Sequence, residues 1–322
     1  MFERLQMNKF LVIGRAGLDL YADPPGTQIE DAHKFSAALG GSAANIAVAL
    51  IRQGCKAALL TSVSNDAVGR HTLKALSSYG VETGHIKRVG GESRNSLAVV
   101  ETRAENCQSV IYRNDAADFH VSEAEVDNID FTRYAAIILT GTSLAREPSR
   151  SATFKAMRLA HVAGLLLIID IDYRPYSWNS AIEAQQVCGE AASLCDIIVG
   201  NDEEFAVLAG SQDGLALAEK LSQRIKRIVV YKRGEKGCTT FTSEGRFGTP
   251  VFPVTALKPT GAGDAFMGGF ISGLVAGIFL QEAVRRGAAT AAIVVTRVGC
   301  APAMPDAVEV LTFMQQPHHS GK

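Results

Sequence analysis

The sequence predicts an α/β protein: a doubly wound, mostly parallel sheet with helices on both faces and a small β-sheet lid. Three observations carry this. Short, mostly apolar runs at 10–14, 57–60, 136–139, 166–169, 196–199 and 228–231 read as buried strands. Segments of helical length separate them, and strands that alternate with helices pair in parallel through crossovers. Residues 96–102 and 108–113 instead alternate apolar and polar side chains across a polar link, the mark of an antiparallel hairpin with one wet face.

Along the chain, the first strand ends at Gly14, and 15–21 reads as a loop or edge strand carrying one isolated acid, Asp19. Asp23-Pro24-Pro25-Gly26 is a turn. Residues 39–54 lead from a glycine turn into a helix of small residues, and the strand at 57–60 with a helix at 66–79 completes a βαβα unit. Segments 15–38 and 84–118 are expected to form the small lid. The α/β rhythm returns at Tyr134, a late hairpin pairs 239–241 with 247–252, and helices follow at 263–276, 280–298 and 306–313. One α/β domain is therefore expected over 8–314, with 315–322 as a disordered tail.

With 322 residues, 47% of them hydrophobic, the chain can bury a large core. A net charge of -1, from 32 basic and 33 acidic residues without a basic stripe, speaks against nucleic acid or a membrane surface as partner. The six cysteines include no C-x-x-C pair and read as buried free thiols. The start lacks an apolar leader and no run approaches the ~18 residues of a membrane span, so a cytoplasmic protein is expected.

Neither GxGxxG nor GxxxxGK[ST] occurs, which removes the main support for a nicotinamide enzyme or a P-loop site. Two other glycine clusters stand out. In Pro259-Thr260-Gly261-Ala262-Gly263-Asp264, glycines bring backbone N–H groups close to a ligand at the start of a helix. An anion would sit there with Asp264 as a fixed carboxylate beside it; the plain alternative is an ordinary helix cap. Gly40-Gly41 with Asn45 sets an amide, which both donates and accepts, one turn into a helix. That suits a sugar's hydroxyls, as does Asp19, although tight packing explains the glycines equally well.

The pair Gly40-Gly41-x-x-x-Asn45-x-Ala47-x6-Gly54 and Pro259-x-Gly261-Ala262-Gly263-Asp264 resembles the two signatures of the ribokinase-like (PfkB) carbohydrate kinases, over nearly the whole chain. The resemblance implies a ribokinase-like fold and transfer of a phosphoryl group from ATP with Mg²⁺. It implies that Asp264 takes the proton of the substrate hydroxyl while the N–H groups of Gly261, Ala262 and Gly263 hold the transferring group. An aspartate near its ordinary pKa of ~4 is a weak base, adequate where proton transfer comes late. Asn201-Asp202-Glu203-Glu204 resembles the family's N-x-x-E motif, whose glutamate helps hold Mg²⁺ through water; alone, these acids suit a helix first turn. Lys232, Gly234 and Gly237 match the glycine loop that lines the nucleotide site.

A narrower likeness lies in Asp170-Ile171-Asp172-Tyr173-Arg174-Pro175-Tyr176-Ser177-Trp178 and in Gly14-Arg15-Ala16-Gly17-Leu18-Asp19-Leu20-Tyr21. Both are similar to the branch that phosphorylates 5-dehydro-2-deoxygluconate in inositol catabolism. That branch implies a sugar-acid substrate with Arg113 and Arg174 near its acid end or the phosphates. The plain alternative pairs Arg174 with Asp172 and uses Trp178 to cover a core edge. Lys258, placed with the nucleotide contacts, departs from the aspartate that helps many members bind a monovalent cation; K⁺ activation is therefore not expected. Alternatives are a 2-keto-3-deoxygluconate kinase, a fructokinase or ribokinase, and a non-catalytic sugar-binding regulator. A homodimer through the lid is compatible with the resemblance.

Overall fold

The computed structural model describes residues 3–210, 213–224 and 226–316. Its first strand shows how the core is divided. In β1 (Lys9–Ile13), Phe10 and Val12 face one apolar layer and Leu11 and Ile13 the other. A strand buried on both faces needs no polar alternation, which is why the segment reads as a continuous apolar run.

The chain then leaves the main sheet. β2 (Gly17–Ala22) and β3 (Phe35–Gly40) pair antiparallel, and α1 (Ser42–Arg52) follows at once. β4 (Lys56–Ser64) returns parallel to β1, α2 (Ala67–Ser78) covers it, and β5 (Ile86–Val89) adds an edge to β4. β6 (Ser96–Val100) and β7 (Ser109–Tyr112) form the expected hairpin. After α3 (Glu123–Asp127) come β8 (Ala136–Thr140), α4 (Ser149–Val162), β9 (Leu166–Asp170) and α5 (Ala181–Leu194). β10 (Ile197–Asn201), α6 (Asp202–Ala209), α7 (Gly214–Ser222) and β11 (Ile228–Lys232) continue the rhythm. The antiparallel pair β12 (Cys238–Thr242) and β13 (Gly245–Thr249) precedes α8 (Ala262–Val275), α9 (Leu280–Val295) and α10 (Ala307–Gln315).

The large sheet has nine strands in the order β13-β12-β11-β10-β9-β8-β1-β4-β5, parallel except at β12 and β13. Helices α1, α8 and α9 contribute to the layer on one face, and α4, α5, α6 and α7 to the layer on the other. Gly268 lets α8 lie against α1: a Cβ there would meet the side chain and backbone of Ala49. Such a glycine costs about 1 kcal/mol against alanine in a free helix, and the close packing offsets it.

Three expectations need adjusting. The small sheet is a four-stranded unit, β3-β2-β6-β7, in which β2 lies inside and pairs parallel with β6. Residues 15–21, expected as a loop or edge strand, are thus mostly an interior strand, and β3 adds a partner that the sequence does not announce. β5, expected in the lid, belongs to the large sheet; its Ile-Lys-Arg-Val sequence is wet on one side because it is an edge. α10 reaches Gln315, one residue into the expected tail, and 317–322 lie outside the described residues. Among the described residues no helix is long and apolar enough to cross a membrane.

Candidate active site

The order of strands reverses between β1 and β8, and a crevice opens there beyond the carboxyl ends of the strands. Two helices begin at this crevice without a side-chain cap. α1 starts at Gly41 (φ 98°) and α8 at Gly261 (φ 85°), whereas α2, α5, α6 and α10 are capped by Asp66, Ser180, Asn201 and Asp306. A positive φ favours glycine at both starts. At Gly261 a Cβ would also stand 2.9 Å from the Cys300 thiol. Arg15 O accepts from Ala44 N–H at 3.2 Å and Pro259 O from Ala262 N–H at 3.4 Å, and the other first-turn N–H groups are left, with the positive end of the dipole, for a ligand.

Asp264 lies in the first turn of α8, and Asn45 of α1 donates Nδ2–H to its Oδ2 at 2.8 Å. The Asn45 Oδ1 is buried without a protein partner. Burial, with the charges of Asp172 and Asp170, pushes the Asp264 carboxyl up to about 8, against the pull of Asn45 and Arg174. The weak base expected from an ordinary aspartate is therefore corrected: this carboxylate binds a proton near neutral pH.

Beside it, Lys232 at the end of β11 reaches toward Asp170 at the end of β9, with Nζ 3.8 Å from Oδ1. Both flank Gly263, where a Cβ would approach them at 3.4 and 4.0 Å. Burial alone would lower Lys232, but Asp170, Glu204, Asp264 and Asp172 outweigh it and hold the ammonium charged. Glu204 closes a capping box: its Oε2 accepts from Asn201 N–H at 2.7 Å, and Asn201 Oδ1 accepts from Glu204 N–H at 2.8 Å. Burial raises Glu204 to about 7 despite Lys232. Among the described residues no group of three or more acidic, histidine or cysteine side chains could hold a metal ion, so a divalent cation here would need ligands from the substrate phosphates and water.

Asp172, which sequence reasoning does not assign to the site, sits with φ 37°, a strained backbone for a non-glycine residue. Its carboxylate accepts from Ser42 Oγ at 2.6 Å and Thr142 Oγ1 at 3.2 Å, and pairs with Arg174 Nη2 at 2.9 Å. The D-x-D pattern was the available signal. The plain reading of Arg174 and Trp178 is met: the arginine pairs with Asp172 and Trp178 is buried in the core.

On the other side of the crevice stands Asp19 of β2. Tyr21 donates its hydroxyl to Asp19 Oδ2 at 3.1 Å and also contacts Cys300 Sγ at 3.2 Å. Asp19 Oδ1 is buried without a partner. Gly40 is required opposite it, because a Cβ there would collide with the carboxylate. Burial raises Asp19, opposed chiefly by Arg15. Tyr21 and Cys300 carry no motif, so the sequence alone does not point to them.

Two expected contacts fall elsewhere. Arg113 is buried and committed: it donates to Asp118 through Nε and Nη2, to Ser177 Oγ at 3.2 Å and to Thr142 O at 3.0 Å. Its guanidinium also lies 4.0 Å over the Phe119 ring, so it braces the wall. Lys258 is wholly buried and donates Nζ–H to Thr260 O, beneath the turn that opens α8, rather than facing a nucleotide. Burial lowers its hold on its proton, while Cys300, Asp264 and Asp19 act the other way. Gly234 (φ 53°) and Gly237 (φ 75°) bracket the loop after β11, where Gly237 passes close to the Thr249 carbonyl.

Over residues 7–307 the chain matches the pfkB family of carbohydrate kinases. It is 37% identical over 311 residues to a 5-dehydro-2-deoxygluconokinase of Photobacterium profundum, covering 95% of this chain and 94% of the relative. It is 33% identical over 326 residues to a 5-dehydro-2-deoxygluconokinase of Geobacillus kaustophilus, covering 99% and 97%. Among solved structures the fold is similar to that of a fructokinase with bound ATP from Xylella fastidiosa, with TM-score 0.85, 24% identity, and coverage of 96% and 98%. A doubly wound sheet, two glycine-started helices meeting at its switch point, and a family match across nearly the whole chain agree: the protein belongs to the pfkB family of carbohydrate kinases.

Proposed function

We propose that the chain transfers the γ-phosphoryl group of ATP to the primary hydroxyl of 5-dehydro-2-deoxy-D-gluconate, giving the 6-phosphate. One observation carries the catalytic reading: Asp264 stands at the uncapped start of α8 with Asn45 Nδ2–H donating to its carboxylate, where burial raises its proton affinity. A general base works best when its pKa lies near the operating pH. The relatives of Photobacterium and Geobacillus bear this substrate in their names.

In this reading Asp264 takes the proton of the attacking hydroxyl, and the N–H groups of Gly261, Ala262 and Gly263 hold the transferring phosphoryl. Catalysis then rests on positioning and charge stabilisation. Asp19 Oδ1 and Asn45 Oδ1, both unpartnered, accept sugar hydroxyls, with Gly40 and Gly41 leaving room. Glu204, with Asn201, would hold Mg²⁺, which would supply positive charge against that of the phosphates. Lys232, Gly234 and Gly237 line the nucleotide side. The small sheet β3-β2-β6-β7 acts as a lid over the sugar. Its outer strand β7 exposes Val110 and Tyr112, a surface on which a homodimer could form.

Lys258 replaces a monovalent cation. Its buried ammonium already donates to the carbonyl oxygen of Thr260, the kind of ligand a bound K⁺ would take. A cytoplasmic setting suits ATP-dependent chemistry and six unpaired cysteines.

The test is a phosphorylation assay across keto-deoxy sugar acids and neutral sugars. The expected result is highest kcat/KM on 5-dehydro-2-deoxy-D-gluconate. Preference for 2-keto-3-deoxygluconate would move the chain to that kinase, activity on fructose or ribose alone would refute the sugar-acid reading, and no transfer to any sugar would favour a binding protein.

A further inference from the structure

We propose that Arg15 receives the substrate's carboxylate, at the end of the pocket away from Asp264, and so sets the preference for an acid over a neutral sugar. This rests on the sugar-acid reading above and reassigns the residue that senses the acid. The sequence offers Arg113 and Arg174 for that task; the structure commits Arg113 to Asp118, Ser177 and Thr142, and pairs the half-exposed Arg174 with Asp172 through Nη2.

Arg113 is paired with Asp118 and Arg174 with Asp172. Arg15 stands apart. Among the described residues it forms no ion pair, and its one side-chain hydrogen bond is Nη1–H to Ser96 Oγ at 3.3 Å. A guanidinium has five N–H donors in a planar fork that matches a carboxylate. Most of the Arg15 fork is thus uncommitted, while the residue itself is only partly exposed.

Its placement is fixed by backbone. Arg15 follows β1 at the switch point of the sheet, where ligands of doubly wound folds bind. Its carbonyl accepts from Ala44 N–H at 3.2 Å and lies where a Cβ on Gly41 would collide. Hence Arg15 is pinned to the head of α1. From there its side chain reaches Ser96, the partner of Gly17 in the small sheet. Gly17, Asp19 and Tyr21 share one face of β2 by its period of two, so the guanidinium arrives beside the Asp19 face.

The two arginines act on different carboxylates. Arg174 acts on Asp264 and Glu204, toward the phosphoryl side. Arg15 is the strongest charge opposing the raised proton affinity of Asp19, while Arg15, Arg174 and Arg113 all act on the half-exposed Tyr176. A keto-deoxy sugar acid carries its carboxylate and its primary hydroxyl at opposite ends. With the hydroxyl at Asp264 and the middle of the chain at Asp19, the carboxylate falls to Arg15. A neutral sugar would leave that fork unmatched, which gives discrimination against it.

Steady-state kinetics on the full chain with 5-dehydro-2-deoxy-D-gluconate would test this, using the wild type, Arg15→Gln and Arg15→Lys. Loss of a charge-assisted, two-point contact should raise KM about 30- to 100-fold in Arg15→Gln, with the loss falling on KM rather than kcat. Arg15→Lys keeps the charge without the fork and should lie between the other two. A KM within about threefold of wild type in Arg15→Gln would overturn the assignment. So would a fall in kcat at unchanged KM, or an Arg15→Lys protein as impaired as Arg15→Gln. If the wild type itself phosphorylates neutral sugars and no keto-deoxy acid, the sugar-acid reading fails and the role of Arg15 falls with it. If the wild type takes the acid and Arg15→Gln takes it equally well, only Arg15 is refuted.

Discussion

The two halves of the cleft manage charge in opposite ways. On the proposed phosphoryl side Asp170, Asp172, Glu204 and Asp264 all act on Lys232, and Arg174 pairs with Asp172. On the proposed sugar side one buried carboxylate, Asp19, accepts from Tyr21, which also contacts Cys300, and feels the charges of Arg15 and Lys258. Burial first, and the neighbouring acids after it, raise Glu204 to about 7 and Asp264 to about 8. The dense half therefore holds the groups whose proton affinity lies near neutral pH. The sparse half offers an unpartnered acceptor, which suits recognition rather than chemistry.

The largest effect should come from the dense half. Asp264→Asn removes the proposed base and should lower kcat by about 10³-fold or more while leaving sugar binding in place. Turnover that survived would remove the base assignment. The same variant tests the raised proton affinity. Folded Asp264 keeps its proton up to about pH 8, whereas in the unfolded chain it loses it near ~4. Between these values the native state binds more protons, so the group's contribution to stability is full below about pH 4 and is lost as pH rises toward 8. Asparagine cannot ionise. Melting curves should therefore favour Asp264→Asn over wild type more at pH 8.5 than at pH 5.5. A gap that narrowed with rising pH would show that Asp264 is not held protonated.

A smaller effect is expected from Gly40→Ala on the sparse side. The added methyl would collide with the Asp19 carboxylate and displace it. Sugar KM should rise on the order of 10-fold, with the KM for ATP little changed, because a small displacement at a recognising group costs orientation. Equal changes in both constants would mean that the halves are mechanically one unit, and the comparison would break.

The two halves also differ in how much of them the sequence discloses. Gly261, Ala262, Gly263 and Asp264 are consecutive, and Asn201 and Glu204 are three apart in one capping box. Their geometry is local, so spacing alone carries it. The sugar side is assembled from β1, β2, β3 and β6 and from Cys300 far along the chain. Which arginine is left unpaired depends on tertiary partners: Asp118, Ser177 and Thr142 bind Arg113, and nothing near Arg113 in sequence except Asp118 hints at it. The main sheet was legible because strands buried on both faces read as apolar runs. β5 was not, because a four-residue edge strand with two charges looks like part of a wet hairpin.

The smallest effect should belong to Lys258, which lies between the halves and is influenced by Asp264 on one side and Asp19 on the other. Replacing choline by potassium at constant ionic strength should change turnover by less than about twofold. A second unit charge ~4 Å from this ammonium would meet about 4 kcal/mol of repulsion at an effective dielectric constant of ~20. That exceeds what weak ion binding could recover. Many-fold stimulation by potassium would place a cation site away from Lys258 and detach this residue from the charge balance of the turn. No stimulation would mean that the ammonium, already bonded to Thr260 O, carries the positive charge of the turn itself and couples the dense half to the sparse one without an exchangeable ion.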